Sequence, residues 1–188
     1  MGVMLKKSLP QPDWIIGDVG TSIYRRVLSQ ATSGSNARAP SPTTVGSYTL
    51  DGNYVEHLQE FVGDFCVAQL ADRLQSIDEL RLQEPDKQTR FKLSYYVDHD
   101  RISVATQRIE QRLAETRAPY MVVASRDPFN GVGLVDLLPQ QVSKAHAIGW
   151  WAEKQSIDRT AILYAGDSGN DSAVFAAGYR SIIVANAA

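Results

Sequence analysis

A single cysteine, Cys66, rules out an internal disulfide and leaves apolar burial to hold the fold together. Long apolar runs are missing too, and none approaches the length that a membrane-spanning helix requires. The first residues, Val3-Met4-Leu5 before Lys6-Lys7, do not form the apolar core of a signal peptide, so the cytoplasm is the default location. An excess of charge of one sign is also absent. The chain has 19 Lys and Arg against 21 Asp and Glu, a net charge of −2. Its basic residues are scattered among acids rather than gathered in a stripe, which gives no footing for nucleic acid. What is present is ordinary for a globular protein: 44% hydrophobic and 21% charged residues in 188 positions, enough for one sizeable domain or two small ones. Cys66 falls in a helical pattern and reads as a small core residue.

Met1 to Ser8 has the pattern of a helix tail, and Trp14-Ile15-Ile16 begins a short strand that ends in the glycine-rich bend Gly17 to Thr21. From Ala31 to Ser47 the composition shifts to Ser, Thr, Gly, Pro and Ala, a surface loop with little apolar area of its own. Val55, Leu58, Val62 and Phe65 recur at helical spacing, and Leu70 and Leu74 extend the pattern, so one long helix is expected. Phe91 to Val97 reads as a strand, and Asp100 as the N-cap of a helix carrying Ile102, Ala105, Ile109 and Leu113. Further strands are expected at Tyr120–Ala124, Val132–Leu138, Ala161–Ala165 and Ser181–Ala185. Helices are expected from about Ser143 to Lys154 and through Val174 and Phe175. Strands alternating with helices indicate an α/β protein.

Two segments carry chemistry. The apolar run Ala161 to Ala165 stops at Gly166-Asp167-Ser168-Gly169-Asn170-Asp171. The carboxyl end of a strand in an open α/β sheet is where ligands bind, and two carboxylates there suit a hard cation such as Mg²⁺. The same residue types also build ordinary turns. In the second segment, Val135-Asp136-Leu137-Leu138-Pro139 closes a strand, and Lys144 falls in the first turn of the next helix. A cation there opposes the helix dipole, so a nearby anion such as phosphate would offset its cost. An exposed lysine bending into solvent is the alternative.

Taken with Val19-Gly20-Thr21-Ser22-Ile23-Tyr24 and Lys92-Leu93-Ser94-Tyr95, these strings resemble the haloacid dehalogenase (HAD) phosphatases that carry a type-IIB cap, and within them the sucrose-6-phosphate phosphatase group. The likeness runs in order from about Pro12 to Ala185. It departs from the group at Ser22, at Ser143-Lys144-Ala145 and in the Ser/Pro-rich stretch. It implies a partial HAD-like Rossmannoid core at residues 1–27 and 131–188, with an inserted α+β cap at 28–130 that includes the loop 31–47. It further implies Mg²⁺ held by Asp167 and Asp171, phosphate held by Lys144 and Asn170, and a sugar facing Asp136, Lys92, Ser94 and Tyr95. Each of the last four also admits an ordinary structural role, Tyr95 by packing a sheet. The implied partner is a small sugar phosphate, with association to a sucrose-phosphate synthase and neither nucleic acid nor membrane.

HAD phosphatases act through an Asp-x-Asp-x-Thr string whose first aspartate is the nucleophile and whose second is the general acid and base. The chain has no such string; Asp18-Val19-Gly20-Thr21 comes nearest and has Gly20 where the second aspartate belongs. The expectation is therefore a fragment whose nucleophile lies upstream, inactive by itself. Rival readings are a type-IIB phosphatase for glucosylglycerol phosphate or mannosyl-3-phosphoglycerate, a non-catalytic HAD-like binding or regulatory module, and a flavodoxin-like receiver domain.

Overall fold

The structure, a computed structural model, describes residues 11–27, 44–45, 47–127, 130–166 and 171–183. The expected helix tail at Met1–Ser8 and most of the loop 31–47 lie outside them. The described strands form three sheets. The first is antiparallel, in the order β1-β2-β4-β3, from β1 (Trp14–Gly17), β2 (Ser22–Arg26), β3 (Thr44–Val45) and β4 (Tyr48–Leu50). The second is also antiparallel, in the order β5-β6-β8-β7, from β5 (Arg81–Leu82), β6 (Leu93–Val97), β7 (Tyr120–Arg126) and β8 (Gly133–Pro139). The third is the parallel pair β9 (Leu163–Gly166) and β10 (Arg180–Ile183). No helix among the described residues is long and apolar enough to cross a membrane.

The expected long helix is two. Helix α1 (Gly52–Val62) starts at Asp51, whose carboxylate accepts from the Tyr54 N–H at 3.0 Å. It stops at Gly63, which sits at φ +55 and sends its N–H to the Gln59 carbonyl. Glycine enters that conformation without a Cβ penalty, so the chain turns there. Helix α2 (Val67–Leu74) follows, and Cys66 is its exposed N-cap rather than a core residue. The apolar periodicity carried across the break because Leu70 and Leu74 are buried in the same core.

Helix α3 (Ile102–Thr116) also begins differently. A 3-10 turn at His99–Arg101 precedes it, Arg101 is its N-cap, and Asp100 is exposed without capping it. Its buried stripe of Ala105, Ile109 and Leu113 is the expected one. That stripe packs in one core with Leu93, Tyr95 and Val97 of β6, Val135 and Leu137 of β8, and Tyr120 of β7. Alternation along β6 and β8 then points Ser94 and its register partner Asp136 to the opposite face.

Helix α4 (Lys144–Lys154) follows β8, and the short helix α5 (Ser172–Ala176) joins β9 to β10. Strands β9 and β10 pair in parallel, and residues 167–170, between β9 and α5, lie outside the described residues. Strand pairing runs across the positions 27/28 and 130/131. β4 belongs with β2, and β8 lies between β6 and β7, so the second sheet continues to Pro139. Strands β2 to β5 lie in stretches without a clear alternating pattern and were not expected.

Candidate active site

Asp171 is the hub of the site. It is 2% exposed, and its Oδ1 accepts from Lys144 Nζ at 2.5 Å and from the Tyr164 hydroxyl at 2.6 Å. Charge-assisted bonds this short satisfy a carboxylate that water barely reaches. Tyr164 comes from β9, Asp171 from the start of α5 and Lys144 from the start of α4, so three elements converge on one oxygen. Gly166 makes the approach feasible, since a Cβ there would lie 2.6 Å from Asp171 Oδ2. The anion that offsets Lys144 at its helix N-terminus is thus the Asp171 carboxylate, where the sequence suggested a phosphate. Ser143 caps α4, its hydroxyl accepting from the His146 N–H at 3.2 Å.

A tight turn abuts the same helix start. Asp18, Val19 and Gly20 adopt φ of +51, +58 and +99. For β-branched Val19 that is a strained conformation, which the surroundings must hold. A Cβ on Gly20 would lie 2.4 Å from the Ser143 carbonyl carbon and 2.7 Å from the Lys144 nitrogen, so only glycine lets the turn press against α4. The turn is pinned by the Ser22 hydroxyl donating to Asp18 Oδ2 at 2.6 Å and by the buried Tyr54 hydroxyl donating to the Gly20 carbonyl at 2.6 Å. Burial raises the Tyr54 hydroxyl far above its usual range, so it remains a donor. A cleft of about 400 Å³ opens beside this arrangement, lined by Trp14, Ile16, Lys144, Ile148, Trp151 and Tyr164, among others.

The second cluster joins three residues singled out in the sequence. Lys92 Nζ donates to Ser94 Oγ at 3.0 Å, Ser94 Oγ donates to Asp136 Oδ1 at 2.5 Å, and Lys92 Nζ stands 3.7 Å from that oxygen. Ser94 is fully buried and Lys92 nearly so. Gln88 clamps the strand from behind, accepting from the Ser94 N–H at 2.8 Å and donating to its carbonyl at 3.0 Å. Tyr95 takes the packing position, the second of its two expected roles: it lies on the helix-covered face, in the core, and burial raises its hydroxyl pKa.

Asp167 and Asn170 lie outside the described residues. Among the described residues no group of three or more His, Cys, Asp or Glu gathers as for a metal ion. The donor chemistry still fits a hard cation in part, because Asp171 is a buried carboxylate at a strand's carboxyl end and Gly166 leaves room beside its second oxygen. Tyr164, Gln88 and Tyr54 were missed in the sequence, where each reads as an ordinary strand, turn or helix residue.

Relatives bear on this geometry. The family model for sucrose-6F-phosphate phosphohydrolase matches residues 43–188. A HAD-like hydrolase of Nitrosococcus oceani is 38% identical over 95% of the chain, and the mannosylfructose-phosphate phosphatase of Agrobacterium fabrum is 29% identical over 95%. The chain spans only 44% and 61% of the lengths of those two proteins. The crystal structure of the sucrose-phosphatase from Synechocystis, in complex with sucrose and phosphate, superposes with a TM-score of 0.71 at 25% identity, covering 100% of this chain and 65% of that one. A haloacid dehalogenase-like hydrolase from Bacillus subtilis shares the fold, with a TM-score of 0.54 at 19% identity over 98% of this chain and 62% of its own. With well over half of its residues matched by the family model, the chain belongs to the sucrose-6F-phosphate phosphohydrolase family of the haloacid dehalogenase superfamily.

Proposed function

We propose that this chain forms part of a Mg²⁺-dependent sugar-phosphate phosphatase whose substrate is sucrose 6-phosphate. The observation that carries the reading is the convergence of Lys144, Asp171 and Tyr164 at the start of α4, beside the carboxyl end of β9. That is an anion-binding position: a helix N-terminus with an ammonium held in place by a buried carboxylate.

The roles follow from the groups. Lys144 clamps phosphoryl oxygens, and Asp171 and Tyr164 keep its ammonium from swinging into solvent. Asn170 donates to the phosphate. Asp167 and Asp171 would hold Mg²⁺, which when bound would supply charge neutralisation at the phosphoryl group. Lys92, Ser94 and Asp136 offer an ammonium, a hydroxyl and a carboxylate to sugar hydroxyls, and Gln88 fixes the strand that presents them. Tyr95 supports that strand from the core. The nucleophile is an aspartate outside these 188 residues: its carboxylate oxygen bonds to phosphorus as the phosphorus–sugar oxygen bond breaks, and the second aspartate of the same string, as general acid, gives the leaving sugar oxygen its proton. Water then cleaves the aspartyl-phosphate to release orthophosphate. Positioning and electrostatics carry most of the rate in such transfers.

The Agrobacterium relative favours a second reading of the substrate, mannosylfructose phosphate. Glucosylglycerol phosphate and mannosyl-3-phosphoglycerate remain further rivals. The full-length protein, assayed for phosphate release from these sugar phosphates with Mg²⁺ and with chelator, decides among them. Release from sucrose 6-phosphate at the highest kcat/KM supports the proposal. Tight binding without release from any of them would favour the non-catalytic module. Cytoplasmic location and association with a sucrose-phosphate synthase belong to the same proposal and are tested by fractionation and co-purification.

A further inference from the structure

One polar contact beside the α4 start takes no part in the phosphate chemistry. His57 of α1 and His146 of α4 face each other with Nε2 atoms 3.0 Å apart. Their ring planes differ by 6° and their centroids lie 5.1 Å apart, about the nitrogen separation plus two ring radii. The rings therefore meet edge to edge in one plane, joined by a single N–H···N hydrogen bond. Phe61 stands perpendicular to both, 5.2 Å from one centroid and 5.3 Å from the other. Trp150 lies at 5.9 Å from His57, and Tyr54 at 6.0 and 6.5 Å from the two rings. These rings shield the bond in part, and both histidines are half-buried.

The contact bears on the active site through two short paths. His146 is two residues from Lys144 on the first turn of α4, and its N–H is the one that Ser143 caps. Tyr54, one turn before His57 on α1, holds the Gly20 carbonyl and so presses the Asp18–Gly20 turn onto the same helix start. Docking of α1 against α4 thus sets where Lys144 sits.

We propose that His57 and His146 form a proton-counting latch: α1 and α4 stay clamped, and Lys144 stays positioned, while the pair carries at most one added proton, and a second drives them apart. With no added proton, one Nε2–H donates to the other Nε2. With one, an imidazolium donates to a neutral ring and the bond strengthens. With two, both Nε2 atoms carry hydrogen and two positive rings face each other at 3.0 Å.

Few charges near the pair soften that repulsion. On α1, Glu60 lies 4.0 Å from His57 Nδ1 and is mostly exposed. On α4, Lys154 sits over Trp150 and adds positive charge, and Lys144 is engaged by Asp171. In the turn beneath α4, the Asp18 carboxylate is held by Ser22. Desolvation first and His57 second lower the pKa of His146 below the ordinary 6.5. The open form thus takes up the second proton more readily, so the clamp is stable above pH 6.5 and weakens as pH falls below it.

Hydrogen–deuterium exchange on the full-length protein tests this at about pH 7.5 and about pH 5.5, either side of histidine titration and corrected for intrinsic exchange. Protection of 52–62 and 144–150 should fall about tenfold at the lower pH, while β6 and β8 change far less. His57→Gln, which keeps a hydrogen-bonding side chain without the second titrating ring, should remove the pH dependence. Wild-type protection equal at both pH values, or a His57→Gln variant with wild-type pH dependence, overturns the latch. Should that variant misfold, ring-nitrogen NMR of the wild type decides. Two coupled steps, the second below the ordinary histidine range, support it, and two independent ordinary titrations overturn it.

Discussion

Asp171 carries its charge at 2% exposure, and Lys144 and Tyr164 are what make that tolerable. Removing one partner of a buried pair leaves the other uncompensated. Lys144→Met should therefore cost about 3 kcal/mol in urea unfolding, and adding Asp171→Asn should restore part of it. Additive losses in that double-mutant cycle would contradict the coupling. In the full-length protein Lys144→Met should also abolish inhibition by orthophosphate, and unchanged inhibition would refute the phosphate role. Tyr95 and its neighbours separate in the same way. Tyr95→Ala empties a core position and should cost roughly 3–5 kcal/mol, with equal loss toward sugar phosphates and a minimal aryl phosphate. Asp136→Asn should raise KM for sugar phosphates and spare the aryl phosphate. Equal effects of Asp136→Asn on both substrates would remove it from the sugar site.

Between elements, the Asp18–Gly20 turn is the coupling piece. It connects α1, through Tyr54, to the start of α4, and its strained φ values persist because both neighbours hold it. Tyr54→Phe leaves the Gly20 carbonyl without its donor and should destabilise by about 1–3 kcal/mol, read as a shift in urea midpoint at constant slope. An unchanged midpoint would show that the bond contributes nothing. Gly63→Ala, by contrast, meets no atom within 4 Å. Its effect should be limited to backbone strain, because φ +55 with ψ −129 is a conformation that suits glycine, at a cost of about 1–3 kcal/mol.

For the whole molecule, the two clusters sit at the two ends of one run of chain. β8 carries Asp136, ends at Pro139, and leads directly into the helix that Lys144 opens. The sheet proposed to face the sugar and the helix start proposed to face the phosphate are thus linked by only a few residues, an arrangement suited to holding two ends of one substrate. Chelation of Mg²⁺ in the full-length protein should abolish phosphate release, and added Mg²⁺ should restore it. Asp167→Asn should be inactive even with the metal in excess. Activity that survives both treatments would remove the cation from the mechanism.

Sequence reading reached the elements whose signal is local. The stripe of α3, the strand at Leu93–Val97, the β9-loop-α5 order and the lysine at the start of α4 all follow from short-range periodicity and residue type. The string Gly166 to Asp171, with its companions, carries the resemblance to the family by itself. Short-range pattern failed where a single backbone angle decided, as at Gly63, and where capping geometry decided, as at Asp100 and Cys66. The rest belonged to tertiary structure alone. Only folding placed Lys144 on Asp171, Tyr54 on Gly20 and His57 beside His146, residues 27, 34 and 89 positions apart. Only strand pairing set Ser94 across from Asp136 and turned Tyr95 to the other face. The sequence by itself determined which groups were available and on which kind of element they would sit. Which of them meet depends on helix docking and sheet register, free-energy minima of the whole chain that no local window contains.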